Sequence, residues 1–301
     1  MSSVLTIASR IKGSMGKTAW DLVRRRRLAT YLKSDRRPWS EGYYEYKEQS
    51  LSEAVNNDSL LDIFAQNQSL PQGYGYRLDA RMIEIPWVLS RVRKHEGGRF
   101  LDAGSALNFD YVLRTPALKD KQISIVTLAP EGQAFWQLGV SYIFGDLRDL
   151  DFRDDRFDHV ACISTIEHIG MDNSMYAGLS EIARRGSPRE FLLAVKELKR
   201  VLKPGGVLYI TFPFGRYENH GWFQQFDSAL VDTLIDGFAP ASVSETIFKY
   251  ESTGWKLSDR LACADCQFFD IHQHKAAGAD SAYPNDYAAG ERALVCLELH
   301  K

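Results

Sequence analysis

The sequence predicts an α/β protein built on a mostly parallel sheet with helices on both faces. Three observations carry this. From about residue 79, short apolar runs of strand length alternate with stretches of helical periodicity. The runs are apolar almost throughout, as strands covered on both faces are. The last two strand-like runs are separated by residues 251–290, which hold no strong helix, and this predicts an antiparallel pair at one edge of the sheet.

The elements follow in order. Val4, Ile7 and Ile11 share one helical face, and Trp20, Val23 and Tyr31 are spaced similarly around Arg24–Arg27. Residues 41–75 are polar and aromatic, and Pro71-Gln-Gly-Tyr-Gly punctuates their end. Residues 1–75 therefore read as a basic helical extension or cap. Residues 76–301 read as the main domain, with 251–290 inserted before its last strand. Ala80–Lys94 is a helix carrying Ile83, Ile85, Val88, Leu89 and Val92. Arg99-Phe-Leu-Asp-Ala-Gly is a buried strand that runs into a glycine turn. Ile123–Leu128, ended by Pro130, is the second strand, Val140–Phe144 the third and Phe157–Ser164 the fourth. Phe191–Leu202 is an amphipathic helix stopped by Pro204-Gly-Gly, and Val207–Phe212 is the fifth strand. Ser242–Tyr250 and Arg292–Leu299 are the final pair.

Composition bounds the function. A chain of 301 residues, 45% apolar and 25% charged, holds one large or two modest domains and is neither disordered, collagenous nor a simple coiled coil. The net charge of −2 leaves no nucleic-acid footprint on the whole chain. Residues 1–40 nevertheless hold ten Lys/Arg and two acids, Asp21 and Asp35. This basic segment reads either as a solvated helix packed on the main domain or as a contact for an anionic membrane surface or acidic partner. Four cysteines do not make a disulfide scaffold and fit a reducing compartment. No apolar run approaches the roughly 20 residues of a membrane span, and Val4–Ala8 is too short for a signal-peptide core. The expected location is the cytoplasm, with peripheral contact at the inner membrane surface as the second reading.

Four motifs stand in a telling order: Phe100-Leu-Asp-Ala-Gly-Ser-Ala-Leu-Asn, Gly145-Asp-Leu-Arg-Asp-Leu-Asp-Phe, Phe157-Asp-His-Val-Ala-Cys-Ile-Ser-Thr-Ile-Glu-His and Arg200-Val-Leu-Lys-Pro-Gly-Gly. Together they resemble the class I S-adenosylmethionine-dependent methyltransferases, over roughly residues 80–250 and 292–299. The run from Ser164-Thr-Ile-Glu-His-Ile-Gly through Lys203-Pro-Gly-Gly is similar to methyltransferases of bacterial surface-polysaccharide and glycan pathways. The resemblance implies a Rossmann-like seven-stranded sheet, mostly parallel with the last strand antiparallel, and S-adenosylmethionine as cofactor. It implies that Asp102, Gly104 and Ser105 line the methionine portion, that Asp146 accepts from the adenine amino group and that the Leu147 N–H faces a ring nitrogen. Ser164 joins this cofactor set. The chain departs from the family in having one glycine after the first strand and no acid at the end of the second; Glu131, or backbone near Leu128, takes the ribose.

The residues themselves agree. Ligands bind beyond the carboxyl ends of the strands where strand order reverses, and a side chain at Gly104 would collide with a closely approaching ligand. A dinucleotide enzyme would need G-x-G-x-x-G for its pyrophosphate, which Gly104-Ser-Ala-Leu-Asn-Phe lacks. Asp102 and Asp146 could instead cap neighbouring helices.

Methyl transfer to a hydroxyl benefits from a general base. Glu167-His168 after the fourth strand and His220 after the fifth are the catalytic candidates, since histidine titrates near working pH. The bland reading is that Glu167 and His168 only hydrogen-bond the cofactor loop. His159, inside the fourth strand, reads as a satisfied core histidine. Cys263-x-x-Cys266 with His272-x-His274 is not a structural zinc spacing, so buried thiols and no metal are expected. Trp222, Phe223, Phe226, Tyr250 and Trp255 either stack on sugar rings or form a packed lid. The expected function is methyl transfer to a hydroxyl of a sugar, nucleotide-sugar or lipid-linked saccharide, without nucleic acid. A small-metabolite O- or N-methyltransferase and a degenerate fold serving as a scaffold are the alternatives.

Overall fold

The computed structural model describes residues 17–177, 186–276 and 283–301. The Val4-Ile7-Ile11 face lies outside the described residues. Helices α1 (Lys17–Lys33), α2 (Tyr43–Val55) and α3 (Asp58–Ala65) precede α4 (Arg81–Val92). The strands are β1 (Arg99–Ala103), β2 (Gln122–Thr127), β3 (Ser141–Phe144), β4 (Phe157–Ile163), β5 (Leu202–Pro213), the short pair β6 (Glu218–Asn219) and β7 (Gln224–Gln225), then β8 (Ser242–Glu251), β9 (Gly254–Ser258) and β10 (Ala293–His300). Helices α5 (Phe191–Val201) and α6 (Ser228–Phe238) flank β5.

Among the described residues, the main sheet has eight strands in the order β3-β2-β1-β4-β5-β10-β8-β9. Strands β1 to β5 are parallel, and β10 runs antiparallel to both β5 and β8. This is the expected Rossmann-like sheet with two corrections. It has eight strands rather than seven, because Gly254–Ser258 folds back on β8 as a hairpin. The final pair is also not at the edge by itself: β10 sits inside and β9 takes the edge. The hairpin turns at Gly254, whose φ of 116° favours glycine; a Cβ there would stand 2.5 Å from the Tyr74 carbonyl oxygen. The paired Tyr250 and Trp255 then bury their rings beneath residues 74–78, with Trp255 Nε1 donating to the Leu78 carbonyl at 3.0 Å.

Side-chain alternation along each strand feeds two cores. Phe100, Ile125, Ala161 and Tyr209 point to one face, while Leu101, Val126, Cys162 and Ile210 point to the other. Helices α5 and α6 cover the second face through Phe191, Leu198, Val231 and Leu234. The first face is covered by α4 and by the N-terminal extension, whose Tyr31, Tyr43, Leu61 and Phe64 share one apolar cluster with Trp87 and Phe248. Helix α4 carries Pro86, which cannot donate to the Met82 carbonyl one turn back. Tyr74 Oη takes that carbonyl at 2.5 Å, so the proline ties the extension to the helix that flanks the sheet.

Strand β5 begins earlier than the sequence predicts. Leu202 pairs with Phe157, and Val207 pairs with His159. The irregularity between them absorbs Lys203-Pro-Gly-Gly.

Candidate active site

Strand order reverses between β1 and β4, and a cavity of about 460 Å³ opens at the carboxyl ends of the strands there. The loops after β1, β2, β3 and β4 form its floor. Trp39 and Tyr44 of the extension, residues 268–272 and residues 289–291 wall it. Trp39 Nε1 donates to the Ala289 carbonyl at 2.6 Å, joining two of these walls.

Asp102, fully buried at the end of β1, does not line the cavity. Its carboxylate accepts from the Ala106 N–H at 3.2 Å and the Leu107 N–H at 2.8 Å, which shapes the loop. Burial lifts its carboxyl to about 7, with the Glu131 charge adding to the rise and the two backbone donors and Arg81 opposing it. The loop so held presents Gly104 and Ser105 to the cavity. A Cβ on Gly104 would stand 2.0 Å from Thr165 Oγ1, so protein crowding, rather than the expected ligand contact, requires glycine here. Ser105 sits at φ 63°, a strained value for a non-glycine residue, and its buried Oγ has no hydrogen-bond partner.

The loop after β4 is equally tense. Ser164 has φ 38°, and its hydroxyl donates to Glu84 of α4. Thr211 Oγ1 donates to the same Glu84 oxygen at 2.7 Å, and Arg81 donates to the other at 2.6 Å. Glu84 is thus buried but saturated. Glu167, 2% exposed, is the opposite: its Oε2 has no hydrogen-bond partner. Burial raises its carboxyl well above the usual range, and the charges of Glu84 and Glu291 add to the rise while Arg81 opposes it. Glu291, which also lines the cavity, is pushed up to about 7 by burial, then by the charges of Glu84 and Asp79. His168 lies beside them, its Nδ1 bonded to the Trp222 carbonyl at 2.9 Å and its Nε2 3.9 Å from Glu167 Oε1. Burial lowers it to about 4, so the ring is neutral. A neutral ring that donates from Nδ1 keeps a lone pair on Nε2.

The other expected cofactor residues divide. Leu128, Glu131 and Leu147 line the cavity. Glu131 stands at the rim, its Oε2 taken by Asn108 Nδ2 at 3.1 Å. Asp146 turns away from the lining: Arg148 Nε contacts its two oxygens at 3.0 and 2.9 Å, and the Arg148 N–H donates to Oδ1 at 2.8 Å. His220 also lies outside the lining. Its ring stacks on Phe223 at 4.5 Å, with Nε2 3.3 Å from Glu218 Oε2 and Nδ1 3.7 Å from Asp270 Oδ2.

The aromatic residues divide too. Trp222 and Phe223 line the cavity, whereas Phe226, Tyr250 and Trp255 are core residues. His159 packs against His95 at 4.6 Å, is lowered to about 4 by burial, and leaves Nδ1 without a partner; it is a core histidine, but not a satisfied one. Cys263 donates to Ser258 Oγ at 3.4 Å, while His272 faces the cavity and His274 packs on Phe269 and Tyr283. Arg81, Glu84 and Glu291 were not among the sequence candidates. Glu84 carried a signal, a lone acid in the apolar run Met82-Ile-Glu-Ile-Pro-Trp-Val-Leu, which a core helix places only with partners.

Residues 118–210, from just before β2 to within β5, match the family described as a methyltransferase domain. No curated protein matches the chain. Similar solved structures include the YcgJ protein from Bacillus subtilis, 14% identical with a TM-score of 0.42, covering 72% of this chain and 97% of that one. A second is the 1,6-didemethyltoxoflavin-N1-methyltransferase of Burkholderia thailandensis, solved with S-adenosylhomocysteine, 14% identical with a TM-score of 0.43, covering 86% and 90%. A third, from Pyrococcus horikoshii, is 15% identical with a TM-score of 0.40, covering 74% and 90%.

Proposed function

For a chain that is an S-adenosylmethionine-dependent methyltransferase, we propose that the acceptor is a saccharide and that the methyl group goes to one of its hydroxyl oxygens. The single observation that carries this is the composition of the cavity wall. Trp39, Tyr44, Trp222, Phe268 and Phe269 line it together with Glu167, Asp270, His168 and Glu291. Aromatic faces cover the apolar face of a sugar ring, and carboxylates and imidazole accept from its hydroxyls.

The residues present fit the cofactor. Ser105 lines the cavity, and its Oγ is a buried polar atom without a partner among the described residues. Ser105, Leu128, Glu131 and Leu147 would hold the cofactor, and Asp102 holds the loop that carries Ser105. Bound S-adenosylmethionine supplies an activated methyl group on a sulfonium. The protein must then position the acceptor oxygen and take its proton. His168 is placed for the second task, with Nε2 free to accept. Burial makes its imidazolium costly, and Glu167 Oε1 lies 3.9 Å from Nε2.

The test is methyl transfer to a panel of free, nucleotide-linked and lipid-linked saccharides and of non-saccharide metabolites. S-adenosylhomocysteine release is measured, and NMR locates the new methyl group. An O-methyl sugar is expected; turnover confined to non-saccharide metabolites overturns the reading.

The extension supports a second role, contact with an anionic membrane surface. No helix among the described residues is long and apolar enough to cross a membrane. Helix α1 exposes Leu22, Arg25, Arg26, Leu32 and Lys33. Because Tyr31 is a core residue and Trp39 walls the cavity, removing residues 1–40 would damage the fold. Arg25→Glu/Arg26→Glu is the cleaner probe. It should abolish co-sedimentation with anionic liposomes, and unchanged co-sedimentation refutes the role.

A further inference from the structure

The carboxylates that face the cavity go beyond what a neutral sugar needs. Glu84 already accepts from Ser164, Thr211 and Arg81, so it is occupied, and Arg81, hydrogen-bonded to it, only partly offsets the charges of Glu167 and Glu291. Glu167 and Glu291 are left facing the cavity. Each feels the charge of Glu84, and Glu167 also feels Glu291. Among the described residues, Lys275 is the other lysine or arginine of the lining, and it stands exposed at the rim. Glu167 Oε2 is the independent sign that a ligand completes this place. It is an acceptor on a residue only 2% exposed, and no group among the described residues donates to it. A buried acceptor without a partner costs roughly 1–3 kcal/mol. A sugar hydroxyl brings one donor and no charge. A primary ammonium brings three donors and a positive charge, and so serves two carboxylates at once.

We propose that Glu167 and Glu291 form a binding site for an ammonium group on the acceptor, which makes the substrate class an amino sugar. This rests on the saccharide reading and narrows it. The hydroxyl to be methylated then lies on the same ring, turned toward His168 by the anchored nitrogen.

Calorimetric titration of the full chain, saturated with S-adenosylhomocysteine, with D-glucosamine and with D-glucose tests it. Glucosamine should bind at least ten-fold more tightly, and Glu291→Gln, which keeps the shape and removes the charge, should erase that preference. Equal binding of the two sugars overturns the ammonium site and leaves the saccharide reading standing. Binding of neither sugar overturns both. The donor is also a cation, so the affinity ratio of S-adenosylmethionine to S-adenosylhomocysteine is measured in the same variant. If Glu291→Gln changes that ratio ten-fold and leaves the sugar preference intact, the carboxylates serve the donor and the proposal falls.

Discussion

The two ends of the sheet both bury titratable groups, and they treat them differently. At the amino ends of the strands, Lys121 Nζ reaches the carbonyls of His95 and Gly97, and Lys203 Nζ holds Asp158 at 2.6 Å. Asp158 also accepts from the Arg99 N–H at 2.8 Å. His159, kept neutral, is the one group of this set with a bare atom. At the carboxyl ends, Glu84 is saturated, but Ser105 Oγ and Glu167 Oε2 stay bare on the wall of a cavity. Two non-glycine residues there, Ser105 and Ser164, hold left-handed backbone. Burial with partners stabilises a fold, whereas burial without them at a cavity leaves work for a ligand.

The largest expected effect separates the two ends by chemistry. His168→Ala should lower kcat by roughly 10²–10⁴-fold with unchanged affinity for S-adenosylmethionine. His159→Leu should leave both unchanged, and a comparable kcat loss there would collapse the distinction. Steady-state kinetics and calorimetry decide it.

Next come the glutamates. Glu84→Ala strands three donors and should cost about 3–5 kcal/mol in a urea titration. Glu167→Gln alters a carboxyl whose Oε2 has no hydrogen-bond partner among the described residues, and should change stability by less than about 1 kcal/mol. Equal costs would show that Glu167 is as structural as Glu84.

Ser105→Gly sharpens the comparison from the other side. Glycine accepts φ 63° freely, so the variant should gain about 1 kcal/mol of stability while binding S-adenosylmethionine about ten-fold more weakly. Undiminished binding would remove Ser105 from the cofactor site.

The smallest effects are in pH. His159 titrates near 4 in the fold against an ordinary 6.5, so the unfolded chain binds more protons between those values. Stability is intact above pH 6.5 and drains as pH falls toward 4, and His159→Leu should flatten that slope by up to about 1.4 kcal/mol per unit. Asp102 and Glu291 are raised to about 7 from 3.8 and 4.5. Their contribution is whole in acid and is lost as pH rises through 7. Glu291→Gln should therefore gain on the parent protein as pH rises from about 4.5 to 7 and hold that gain above it, read as a difference in Tm.

Much of this was legible in the residues. The apolar runs located the five parallel strands and the Asp102–Ser105 turn, because a strand buried on both faces must be apolar along its length. The β8–β9 hairpin was not, since five residues around Gly254 carry no period of their own and pair only because Tyr250 and Trp255 find a pocket under residues 74–78. His168 and Glu167 were readable as neighbours of a strand end. His220 was readable in the same way, yet the structure turns it onto Phe223 and away from the cavity.

The sequence by itself determined the class of fold and the positions of its parallel strands along the chain, since these follow from local periodicity and from where turns interrupt it. Only the tertiary structure decided which buried acids are satisfied. Glu84 meets Ser164 and Thr211 across 80 and 127 residues of chain, and Glu291 comes to Glu167 from the loop before β10. Such contacts have no sequence period, because a carboxylate's partners are set by packing and not by spacing.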